Sequence, residues 1–190
     1  GMEALRIALE RSRSAEEAVD VITCLVSEFG QGKFANDDGV RTYDNIYLIA
    51  DPASAYVVEC VGHDWAVSKI HNFRSISNVS QIRNDAEKVS SEAEAHAVRE
   101  RLFDSALGEE FSFAKVFGDP NNSVSGTKRQ CRSESLLSRR EGKLDVRSMM
   151  QVLSDHSDGE NPEEPPMSDI QGDVSICLHR TSGESMGAST

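Results

Sequence analysis

The stretch "NIYLIADPASAYVVECVGHDWAVSKI", residues 45–70, decides the fold class. Residues 45–50 form one apolar run, and residues 55–61 form a second that is rich in Val and Tyr. Asp51-Pro52 between them is a turn signal: proline presets the backbone, and aspartate accepts from nearby amides. Gly62-His63-Asp64 turns the chain again, and residues 65–70 alternate apolar with polar side chains. Residues 73–79 read as a fourth short strand. Strands joined by such short connections pair antiparallel, so a four-stranded meander is expected.

Upstream the period is helical. Leu5, Ala8 and Leu9 share one face of a first helix. Ser14 reads as the N-cap of a second, with Glu17 three residues later completing a capping box. Ala18, Val19, Ile22, Leu25, Val26 and Phe29 follow as an apolar stripe, and Gly30 stands where a left-handed C-cap is needed. Residues 31–43 read as a polar loop.

Downstream the chain is more polar. Ser90 or Ser91 is expected to cap a helix reaching about residue 107, and residues 111–117 hold a small aromatic cluster. Residues 119–140, rich in Ser, Asn and Arg, read as a loop, as do residues 157–172 with their prolines and acids. Residues 146–153 read as a short helix with Met149, Met150 and Leu153 as its apolar side, and residues 174–178 as a last strand. The order places the chain in the α+β class, as a single domain spanning residues 1–190.

Composition narrows the partners. The 190 residues carry a formal net charge of −12. Such a surface repels phosphate backbones and anionic lipid, which argues against nucleic acid and membrane. No apolar run is long enough to span a bilayer. Cys24, Cys60, Cys131 and Cys177 form no CxxC pair, so reduced thiols in a cytoplasmic compartment are the simplest account.

Few residues invite chemistry, and no GxSxG, phosphate-binding glycine loop or HExxH is present. His63, Asp64 and His71 could meet at one end of the sheet around a metal, but a metal site needs three or four converging ligands, and ordinary turn polarity accounts for them. Cys177 and His179 share one face of a strand, as a nucleophile and base would; a buried Cys beside an edge His needs no chemistry. Glu160, Glu163 and Glu164 lack the pattern of a calcium loop. Asn78 ends the fourth strand, where its amide could donate to an oxyanion; taken alone, the residues favour the start of a turn. Neither a metal nor a cofactor is expected.

Several segments in a fixed order resemble the secernin-type cysteine dipeptidases. They are "ALRIALERSRSAEEAVDVITCLVSEFGQG" (4–32), "YLIADPASAYVVECVGHDWAVSKI" (47–70) and "RSISN" (74–78). Weaker echoes follow in "FSFAKVFGDP" (111–120), "VRSMMQVLSDH" (146–156) and "SICLHRT" (175–181). The resemblance implies an αββα N-terminal-nucleophile hydrolase sandwich, of which this chain would form part. It also implies hydrolysis of a dipeptide or related amide by an N-terminal cysteine, and it places Asn78 where relatives stabilise the oxyanion. The family's nucleophile precedes the "ALRIALERS" helix, and Cys24, Cys60 and Cys177 lie inside a helix or strands. The chain is therefore expected to be a central portion without its reaction centre and without peptidase activity. A non-catalytic binding or scaffolding module reusing the fold is the alternative. Open sheet edges predict a second copy or a complementing polypeptide, and a small peptide is the substrate expected of the parent fold.

Overall fold

The computed structural model describes residues 1–31, 33–36, 39–42, 44–118, 124–155 and 176–177. The chain divides into two compact units, Gly1–Ser123 and Val124–Thr190.

The first unit opens with α1 (Met2–Arg11) and α2 (Ala15–Phe29). The Ser14 hydroxyl accepts from the Glu17 amide at 3.2 Å, as the capping pattern predicts. The Glu17 carboxylate reaches one residue further back than the usual box and accepts from the Arg13 amide at 2.7 Å. Residues 31–43, read as a loop, contain a hairpin of β1 (Lys33–Asn36) and β2 (Gly39–Thr42). The main sheet then forms from β3 (Ile46–Ala50), β4 (Ala55–Val61), β5 (Asp64–Lys69) and β6 (Lys88–Val89), antiparallel in that order.

Strand β4 shows why residues 55–61 are apolar almost throughout: both its faces are covered. Tyr56, Val58 and Cys60 point to the helices, where Val19, Ile22 and Val26 of α2 and Ala8 of α1 pack with Tyr47, Ile49 and Val67. Val57 points the other way, into a second cluster with Ala66, Ile82 and Phe113. The outer part of each helical stripe stays in solvent: Leu9 and Phe29 are exposed, as is Cys24.

The fourth sheet position corrects the expectation. Residues 73–79 form no ladder with β5; β6 takes that place. The segment from Ile70 onward instead crosses beneath the sheet, where Ile76 packs into the second cluster and Ile82 is fully buried. A side chain, not a strand, receives its backbone: the Glu59 carboxylate accepts from the Gln81 and Ile82 amides at 2.7 and 3.1 Å.

Beyond β6 come α3 (Ala93–Arg99), a 3₁₀ turn (Ser105–Leu107) and α4 (Phe113–Phe117). The single long helix read over this region is broken, and no serine caps α3 through its side chain. The Ser90 hydroxyl is already engaged, accepting from the Trp65 amide and donating to Asp64.

The second unit is helical. Residues 119–140 are not a loop throughout, because α5 spans Val124–Ser138. Its polar side chains are compatible with a helix: the Ser133 hydroxyl donates to the Arg129 carbonyl four residues back at 2.8 Å, and Leu137 is buried. The expected helix α6 (Val146–Leu153) is present, capped by Asp145, which accepts from the Ser148 amide. Its buried residue is Val152, whereas Met149, Met150 and Leu153 are exposed. Arg132 grips Asp155 through two hydrogen bonds of 3.0 Å each, a forked pair within this unit. The loop read at residues 157–172 lies outside the described residues. Of the last strand only Ile176 and Cys177 are described, and neither is in a strand.

Gly30 ends α2 at φ 69° and ψ −160°, a conformation essentially reserved for glycine. A Cβ there would also sit 2.8 Å from His63 Nε2. Gly30→Ala is therefore expected to destabilise the first unit by about 1–3 kcal/mol, from the backbone conformation alone. Urea denaturation of the purified chain measures it, and an unchanged midpoint contradicts the cap geometry.

Candidate functional site

The turns of the meander act first on α2. At its N-terminus, Asp51 Oδ2 accepts from the Ala15 amide at 2.7 Å, while Oδ1 accepts from the Ala53 and Ser54 amides at 2.7 Å. At its C-terminal end, His63 Nδ1–H donates to the Ser27 carbonyl at 3.0 Å, and the Trp65 indole donates to the Ser27 hydroxyl at 2.8 Å. The residues that mark the turns in the sequence thus clasp one helix from both ends.

Asp51 gains a pH dependence from this geometry. The Ala15 amide foremost, then those of Ala53 and Ser54, hold its carboxyl below the usual carboxylate range. The native state then binds this proton more weakly than the unfolded chain. Its stabilisation is complete above the unfolded value, about pH 3.9, and is lost as pH falls through the folded one. Asp51→Asn is expected to flatten that part of the acid limb, as read from denaturation midpoints below pH 4. An unaltered limb contradicts the assignment.

The metal reading of His63, Asp64 and His71 does not survive the coordinates. His63 is bound to α2, His71 is exposed, and Asp64 turns to other partners. Among the described residues no group of three or more His, Cys, Asp or Glu could hold a metal ion.

Among the described residues Asp64 builds the most reaction-like pair. It is 4% exposed, and its Oδ2 accepts from His96 Nδ1–H at 2.5 Å while its Oδ1 accepts from Ser90 Oγ at 3.1 Å. In the neutral imidazole this contact holds the proton on Nδ1 and leaves Nε2 the unprotonated nitrogen. That is the base and orienting group of a nucleophilic triad. Among the described residues no thiol or hydroxyl hydrogen-bonds to Nε2. His96 was not singled out in the sequence. It lies on α3, and its partner is 32 positions earlier.

The cysteines fare no better as nucleophiles. Cys60 is 2% exposed, and burial first, then the Asp44 and Glu59 carboxylates, push its thiol up to about 12 despite the opposing Gln31 amide. A thiol in that state supplies no thiolate near neutrality. Neighbouring Tyr47 is likewise pushed up to about 12 by burial and by Cys60. Cys24 is exposed on the outer face of α2, and Cys131 is exposed in the second unit. Cys177 donates its backbone amide to the Asp155 carbonyl at 3.0 Å, and His179 lies outside the described residues. The calcium reading of Glu160, Glu163 and Glu164 lies outside them too.

Asn78 is exposed and sits on a bend, not at the end of a sheet strand. Glu59 is 1% exposed. Burial raises its carboxyl, opposed by the Gln81 and Ile82 amides and by Arg74, while Asp85 adds to the rise. No helix among the described residues is long and apolar enough to cross a membrane. No protein-family model matches this chain.

Proposed function

We propose that this chain forms one helix layer and one sheet of a secernin-type cysteine dipeptidase sandwich, and that none of its own cysteines is the nucleophile. The observation that carries the second half is the environment of Cys60, buried in the sheet with its thiol raised to about 12. The first half is supported by a paired-helix layer packed on an antiparallel meander, carrying the quoted segments in order. In that reading the parent reaction is hydrolysis of a dipeptide or related amide. A thiolate attacks the carbonyl carbon, the oxyanion is stabilised, the amine leaves with a proton as the acyl thioester forms, and water then hydrolyses the thioester to release the acid and restore the thiol. Asn78, exposed on its bend, is the oxyanion donor we assign, on the strength of the family resemblance. The edge strand β3 is where a second copy or a complementing polypeptide adds.

The test is dipeptide hydrolysis by the purified chain, with and without cysteine alkylation. No turnover in either sample is expected. Turnover abolished by alkylation sinks the assignment, because one of the four cysteines is then catalytic. A strictly monomeric light-scattering profile removes the self-association part.

A further inference from the structure

Within the first unit, a cleft of about 550 Å³ opens between the C-terminal end of α3, the 3₁₀ turn and α4. That volume is in the ordinary range for small-ligand sites, roughly 300–1,000 Å³. Leu102, Phe103 and Leu107 supply apolar wall, and Leu102 and Leu107 remain 54% and 73% exposed. Apolar surface left open in a concave site is what an apolar ligand covers favourably.

The charges around the cleft sort themselves. Lys115 and Glu109 cancel in an ion pair at 2.5 Å. Glu110 accepts from the neutral Asn84 amide, and Asp104 accepts from the Ala106 amide, so both keep an uncompensated negative charge. Arg101 also lines the cleft and makes no ion pair among the described residues. Among the described residues, one cation and two anions therefore remain without a counter-charge around an apolar wall.

Arg101 is out of place by backbone criteria. It is the one non-glycine residue at positive φ among the described residues, at 60°. The Leu102 amide donates to the Ala97 carbonyl and the Arg101 amide to the Val98 carbonyl, the paired bonds of a Schellman helix end. Glycine is the residue that position favours, because it alone bears no Cβ penalty there. Helix termination thus explains the conformation but not the arginine. What the side chain adds is a cation on a residue that lines the cleft.

We propose that this cleft binds a small zwitterion with an apolar body, an α-amino acid with a large apolar side chain. Arg101 takes the carboxylate, Asp104 and Glu110 face the ammonium, and the side chain lies on Leu102, Phe103 and Leu107. The inference is independent of the hydrolase reading, since it uses neither a cysteine nor Asn78. Calorimetric titration of the full chain with L-phenylalanine tests it, beside phenethylamine and 3-phenylpropionate, which each lack one charge. Phenylalanine is expected to bind at least about tenfold more tightly than either. Arg101→Gly is expected to keep or raise the melting temperature while abolishing the preference for phenylalanine over phenethylamine. Glu110→Gln is expected to weaken phenylalanine and leave 3-phenylpropionate unchanged. No phenylalanine binding to the folded chain, equal binding of phenethylamine, or an Arg101→Gly variant that binds as before overturns the proposal.

Discussion

Glu59→Ala is expected to remove about 3 kcal/mol of stability from the first unit. The Gln81 and Ile82 amides lose their acceptor in a site that is 1% exposed, and a buried donor left unpaired costs roughly 1–3 kcal/mol. The void left on the face of β4 adds to this, while relief of the desolvated carboxylate subtracts. Against a typical domain stability of about 5–15 kcal/mol, the loss is large. The conservative Glu59→Gln keeps the shape and one acceptor, and it reports on charge. Burial raises the native carboxyl above its unfolded value of about 4.3. The native state therefore holds this proton more tightly, and the stabilisation is fully present below the unfolded value. It is lost as pH rises through the folded value, opposite in sign to Asp51. Urea titrations at several pH values should show the difference between Glu59→Gln and the parent shifting in favour of the variant as pH rises. A difference independent of pH contradicts a raised carboxyl.

Phe113→Ala is expected to cost about 3–5 kcal/mol, the range for truncating a fully buried aromatic. Phe113 is 0% exposed and packs with Val57, Ala66 and Ile82, and its ring centroid lies 5.0 Å from that of Phe117. Helix α4 has only 5 residues, far too few to persist by its own hydrogen bonds. Its position rests on the ring and on the Ala114 amide, which donates to the Ile82 carbonyl at 2.8 Å. Phe113→Leu, which refills part of the space, should cost clearly less. A loss below 1 kcal/mol for the alanine variant, by urea denaturation, contradicts this packing.

The elements legible from residues alone are those whose apolar pattern is local. Strand β4 coincides with its run, α6 with its expected bounds though Val152 and not Met149, Met150 or Leu153 is its buried residue, and α2 with its Ser14-Glu17 signature. Misreadings arose where a distant partner or a bland composition decides. Residues 73–79 look like a strand until Glu59 takes the amides of the chain that follows, 22 and 23 positions away from it. A clue was present: one acidic residue inside the run "VVECV" signals a buried carboxylate needing donors. Helix α5 was hidden because Ser and Arg suggest a loop yet tolerate an exposed helix. The Asp64–His96 pair had no local signature, since each residue separately reads as turn or helix polarity. Asn78 stands out as a strand-end amide and gains weight through the family resemblance, but it sits on a bend and not at the end of a sheet strand.

The clasp on α2 has a consequence for how the first unit opens. A helix held only by its side chains can fray from either end, exchanging its amide hydrogens by small local excursions. Here the first amide is bound 36 positions away by Asp51, and the Ser27 carbonyl near the last turn is bound 36 positions away by His63. Neither end can loosen without disturbing a hairpin turn of the sheet. Helix and meander thus share one cooperative opening event, and the helix amides should exchange with deuterium at the rate of the central strand, not at that of a surface helix.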